Sequence, residues 1–91
     1  MLFVMRAEEG DGRFGVTASR RIGGAVERAR AKRRLRELYR LSRSHLADAA
    51  YDVVANARKS CVKAPWGELQ REFSRCLARG IARVEKRAAG P

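Results

Sequence analysis

The sequence is poor in the residues that protein chemistry most often needs. It has one histidine, His45, and two cysteines, Cys61 and Cys76, fifteen positions apart with no second Cys or His close to either. Zinc sites are built from paired ligands at short spacings, and this chain has no such pair. General acid–base catalysis needs carboxylates or histidine converging on a cleft. The ten acids are scattered instead: Glu8, Glu9 and Asp11 share one turn-like stretch, and the rest fall on helix faces or at strand and helix margins. Neither Cys61 nor any serine has a linked base, and Gly23-Gly24 lacks the Walker spacing with its Lys-Ser/Thr pair. Long apolar runs are missing too. Met1 to Met5 is too short for a signal-peptide core, and nothing approaches the roughly 20 apolar residues of a membrane span. Isolated cysteines fit a reduced, cytoplasmic protein. The expectation is no catalytic side chain, no metal site, no membrane partner and no small-molecule substrate.

What the chain does have is positive charge. From Arg13 to Arg43 there are eleven Lys/Arg against two acids, Glu27 and Glu37, which accounts for nine of the formal +11. A charge this concentrated calls for a polyanion, and a phosphodiester backbone is the commonest one in cells. Apolar content is nevertheless 45%, so this is a folding chain and not a basic tail. Its 91 residues form one small domain, with an ordered core expected over about 2–80 and a basic tail over 81–91.

Leu2 to Arg6 reads as a short strand, and Glu8 to Gly12 as a hairpin connection. Arg13 to Ser19 alternates: Phe14, Val16 and Ala18 point one way, and Gly15, Thr17 and Ser19 form a face without bulky groups. That face suits solvent or the close approach of another backbone. Gly23 and Gly24 permit a sharp change of direction, and a helical period starts near Ala25. Leu35, Leu38, Tyr39, Ser42 and Leu46 make its core stripe. Arg30, Arg33, Arg36 and Arg40 share the opposite face, with Lys32 and Arg34 on its margins. Tyr51 to Ala57 is a second strand, expected to pair parallel to the Arg13–Ser19 strand, because the intervening helix can act as a crossover. Arg58 to Ala64 reads as an irregular basic loop. A helix follows Pro65, with Trp66, Leu69, Phe73, Cys76 and Leu77 inward and Gly80 as its C-terminal cap. The order β-β-α-β-α predicts a single α/β or α+β domain.

Basic helices are often solvated faces balanced by acids at i,i+4. Here two acids leave most of the arginines uncompensated, and like charges so spaced destabilise a free helix. A partner supplying phosphates resolves that conflict, and the planar guanidinium engages phosphate oxygens with two bonds at once. A basic helix could lie on an anionic membrane, but in so small a domain its apolar face is needed inside. A DNA-binding helix-turn-helix does not fit, because a strand separates the two helices.

At this point the residues carry a likeness. Ser19, Arg20, Arg21, Ile22, Gly23, Ala25 and Val26 are followed by Arg28, Arg30, Lys32, Arg33, Arg36 and Glu37, and later by Asp52, Val53, Val54, Ala57 and Arg58. This succession resembles the bacterial ribonuclease P protein family, with its Arg-Asn-Arg-x-Lys-Arg-x-x-Arg-Glu signature and its Asp-hydrophobic-Val-x-x-Ala-Arg strand. The signature asparagine is Ala29 here. The family also usually begins with a further helix, which helps to wall its cleft, and a short strand, whereas this sequence starts at about the second strand.

The resemblance implies an α/β sandwich with a small central sheet and a left-handed β-α-β crossover. It implies a protein subunit that assists a catalytic RNA in removing the 5′ leader of precursor tRNA, with Mg²⁺ held mainly by the RNA. Its partners would be ribonuclease P RNA and precursor tRNA. RNA binding would fall to Ser19, Arg20, Arg21, Arg28, Arg30, Lys32, Arg33, Arg36 and Arg40, and the leader to a cleft at Phe14, Val16, Lys32 and Arg36. The alternative is a noncatalytic ribosomal or general structured-RNA-binding protein.

Overall fold

The computed structural model describes residues 2–6, 12–43 and 51–89. In chain order these form β1 (Leu2–Arg6), β2 (Phe14–Thr17), a 3-10 turn (Arg20–Ile22), α1 (Ala25–Ser42), β3 (Tyr51–Asn56), α2 (Ser60–Lys63) and α3 (Trp66–Ala89). The expectation for Leu46 falls outside the described residues.

β3 is the central strand of a three-stranded sheet ordered β1-β3-β2. It pairs parallel to β2, with Phe14 beside Val53 and Val16 beside Ala55, as the crossover helix implied. It pairs antiparallel to β1, with Val4 beside Val53. The expected hairpin between the first two strands is therefore corrected: β1 and β2 lie on opposite sides of β3 and do not pair. The reason lies in β3 itself. Val53 and Ala55 are almost wholly buried on its core face, and the backbone N–H and C=O groups of so buried a strand need a partner on both edges.

Both long helices pack on that core face. α1 contributes Ala31, Leu35 and Leu38, and α3 contributes Leu69, Phe73 and Leu77. Tyr39 joins them by stacking on Phe14, with ring centroids 4.2 Å apart, while Phe73 meets Phe14 edge-on at 6.5 Å. The other sheet face is more open: Met5 and Val54 are exposed there, as are Gly15 and Thr17. The Thr17 hydroxyl donates to the Asn56 side chain, and Asp52 accepts from the Arg13 backbone N–H at 2.9 Å, so the two parallel strands are tied at both ends.

Further expectations need correction, the first being Trp66, placed inward on α3 but exposed in the structure beside Arg34. Gly80 does not cap its helix, since α3 runs on to Ala89. The glycine is needed instead for close approach, because a Cβ there would overlap the Val4 side chain where α3 crosses β1. The basic loop Arg58–Ala64 holds a helical turn, α2, whose Cys61 and Val62 are buried. Cys76, expected in the core, is only half-buried, and Cys61 is the buried thiol. No helix of the described residues is long and apolar enough to cross a membrane.

Candidate nucleic-acid interface

The site begins at the turn between β2 and α1. Ser19, Arg20 and Arg21 are exposed on it, and the Ile22 and Gly23 amides close it by donating to the Ser19 and Arg20 carbonyls at 3.1 and 3.2 Å. Gly23 then takes φ +149°, a conformation that side-chain-bearing residues rarely adopt, and this redirects the chain into α1. The sharp turn brings the end of β2 alongside the first turns of the basic helix.

An open groove of about 780 Å³ results, lined by Ala18, Ala25 and Ala29 and by the charged residues Arg28, Lys32, Arg33, Arg36, Glu37 and Arg40. Five cations thus face one carboxylate. That carboxylate is already engaged: Arg40 Nε donates to Glu37 Oε2 at 3.0 Å. This hydrogen bond holds the Glu37 carboxyl below its ordinary range and raises Arg40, so both stay charged near neutrality. Arg28, Lys32, Arg33 and Arg36 form no ion pair among the described residues. Small alanines between long cations leave space for a backbone to approach, and the signature position Ala29 is one of them.

The arginines of α1 do not form one set. Arg30 Nε donates to the Val62 carbonyl at 2.8 Å, and Arg34 Nη1 donates to the Cys61 carbonyl at 2.9 Å. The second Arg34 amino group donates to the Ala64 carbonyl, and its guanidinium lies 5.8 Å from the Trp66 ring centroid. These two side chains clamp α2 onto α1, satisfying carbonyls that the end of a short helix leaves orphaned. Neither lines the groove. Sequence reasoning placed Arg30 with the RNA-facing residues and missed the clamp, because a guanidinium four residues from another looks the same whether it meets a carbonyl or a phosphate. Ala18 and Ala25 were missed for the opposite reason, having no chemistry of their own.

Of the cleft candidates, Lys32 and Arg36 line the groove, whereas Phe14 and Val16 point to the core face and pack against its apolar cluster. Among the described residues, no group of three or more His, Cys, Asp or Glu is placed to hold a metal ion.

Comparison with known proteins agrees with this architecture. The family model described as Ribonuclease P matches residues 1–80. The ribonuclease P protein component of Geotalea uraniireducens is 34% identical over 79 residues, covering 87% of this chain and 68% of that protein. Its counterpart from Caulobacter vibrioides is 40% identical over 85 residues, covering 86% of this chain and 57% of the relative. The chain thus spans roughly half to two thirds of the length of the curated relatives it matches. The structure of the Staphylococcus aureus RNase P protein superposes with a TM-score of 0.71 at 28% identity, over 91% of this chain and 73% of that one. The sequence signature, the three-stranded mixed sheet and these matches lead to one assignment: the chain belongs to the ribonuclease P protein family.

Proposed function

We propose that this chain is the protein subunit of a ribonucleoprotein that removes the 5′ leader from precursor tRNA. It would bind the catalytic RNA and the leader strand and perform no chemical step itself. The observation that carries the reading is the α1 groove, where five cations and one already-paired carboxylate surround a floor of alanines. Such a surface suits phosphates and a strand held in register, and its carboxylate is already engaged by Arg40. Arg28, Lys32, Arg33 and Arg36 are the principal phosphate ligands, with Ser19, Arg20 and Arg21 extending the contact at the turn. Arg40 contributes while shared with Glu37. Arg30 acts through its hold on α2, next to the same surface. Phe14 and Val16 serve the cleft from the core side, by fixing β2 against α1 through Tyr39. Mg²⁺ and hydrolysis belong to the RNA, and the setting is the cytoplasm.

The test is reconstitution with a folded bacterial ribonuclease P RNA and single-turnover cleavage of a precursor tRNA. Lys32→Ala and Arg36→Ala should weaken binding, and saturating protein should restore most of the cleavage, because mass action overcomes a binding defect. A folded single variant that abolished the cleavage step with both RNA affinities unchanged would overturn the noncatalytic assignment. Binding of structured RNA without any stimulation of cleavage would point to a general RNA-binding role.

A further inference from the structure

α3 carries a second array of cations that the α1 groove does not use. Arg71, Arg75, Arg79, Arg83 and Arg87 follow one another at intervals of four, and all five are exposed. At ~1.5 Å of rise per residue, successive members lie ~6 Å apart along the axis, and Arg71 to Arg83 extends about 18 Å. Arg58, just beyond the end of β3, joins Arg71, Arg75 and Arg79 in lining an open groove of about 500 Å³, together with Glu68, Glu72 and Cys76. This groove shares no residue with the one on α1.

The ladder is not an ordinary solvated helix face. Such a face places acids three or four positions from its bases. Arg79, Arg83 and Arg87 have no acid at either spacing on either side, and their neighbours four away within the helix are arginines. Glu68 and Glu72 lie three positions before Arg71 and Arg75, yet neither makes an ion pair among the described residues. Glu85, the remaining acid of α3, accepts the Tyr51 hydroxyl. The apolar side of the helix is fixed by burial of Leu69, Phe73 and Leu77, so the arginines cannot be turned inward. Repeated like-charge contacts oppose helix formation, and a polyanion laid along the stripe would relieve them.

We propose that this ladder is a second surface for an RNA phosphate backbone, so that one folded RNA is held at two separate places on the protein. The inference rests on the RNA-binding reading above and extends it to a face outside the family signature. Guanidinium forks suit phosphate oxygens, whereas the two groove carboxylates oppose them and tune the affinity downward.

The experiment uses the full chain and a folded bacterial ribonuclease P RNA, measuring Kd from 50 to 200 mM salt. Arg75→Gln/Arg79→Gln/Arg83→Gln should weaken binding at least tenfold at the low end. Its log–log salt slope should be shallower by roughly two to three, one phosphate contact per arginine. The corresponding triple Lys variant should keep most of the slope. Glu68→Gln/Glu72→Gln should tighten binding, an outcome that a folding defect cannot imitate. Wild-type affinity and slope in the folded Gln variant, or no tightening in the Glu pair, would overturn the proposal. If Lys32→Ala/Arg36→Ala still lost affinity in the same assay, the proposed function would stand without it. A wild-type chain that bound no RNA would sink both. If the ladder variants bound RNA normally but lost polyglutamate, the face would be a site for acidic protein and the inference would fall.

Discussion

Replacing Arg34 by alanine should unfold this domain at a distinctly lower temperature while removing no groove cation. The side chain bonds the Cys61 and Ala64 carbonyls and lies against Trp66. A hydrogen bond from a charged donor contributes about 1.5–3 kcal/mol when its loss leaves a buried acceptor unmet. The site is only partly buried, so water would recover some of that, and two bonds together contribute about 2–3 kcal/mol. Cation–π contact at a wet site adds ~0.5–1 kcal/mol. Removing one charge from a chain of formal +11 also relieves some repulsion, which makes the total an upper figure. A net loss of ~2–3 kcal/mol corresponds to a fall in Tm of about 8–24 °C for a domain of this size. Thermal unfolding followed by circular dichroism reads it directly. Arg34→Lys should recover less than half, because a point charge cannot bridge two carbonyls as the guanidinium fork does. Arg36→Ala, in the groove, should leave Tm within about 4 °C of wild type, as surface substitutions usually do. If Arg34→Ala kept the wild-type Tm and lost RNA affinity instead, the clamp would be a misassignment and Arg34 an RNA ligand.

Leu38 is 1% exposed, so Leu38→Ala should cost on the order of 2–5 kcal/mol in denaturant unfolding. An unchanged midpoint would mean that α1 is turned the wrong way round. RNA affinity should fall with salt at a log–log slope of roughly −4 to −5 if about six phosphates are neutralised, and a slope near zero would refute phosphate binding. Glu37→Gln should free Arg40 from its ion pair and tighten RNA binding, most visibly at low salt in a filter assay. A thiol reagent should label half-buried Cys76 in the native protein well before buried Cys61, as counted by peptide mass.

Much of this fold can be read from periodicity. Alternation at Phe14–Thr17 and Tyr51–Asn56 and the stripe at Leu35 and Leu38 each depend on which face is buried, and burial is written in residue type. Strand order was not legible in the same way. Glu8 to Gly12 has the composition of a tight turn, and only the demand of β3 for cover on both edges separates β1 from β2. Gly80 misled for a related reason. Glycine at the end of an apolar stripe reads as a cap, whereas here it permits contact with Val4, a residue 76 positions away in sequence. The basic site was legible as charge but not as geometry. Which arginine is left to the groove and which meets a carbonyl is decided by α2, a single turn with no periodicity to announce it.

That division explains how so charged a helix can be a fixed part of the structure without a bound polyanion. Residues of α1 meet three different environments. Ala31, Leu35 and Leu38 are buried in the core, with Tyr39 stacked on Phe14 beside them. Arg30 and Arg34 bind α2. Of its cations, only Arg28, Lys32, Arg33, Arg36 and Arg40 line the groove. Repulsion among the groove cations is therefore opposed by packing on one side and by charge-assisted bonds on another, and the helix need not be ordered by its ligand. RNA binding, as proposed, would then avoid most of the entropy that a disordered basic segment loses on folding. On the proposed function, the two clamp arginines would thus serve affinity without touching the ligand. Loosening α2 should weaken RNA binding through a helix that has to be re-ordered, with the salt slope unchanged because no phosphate contact is lost.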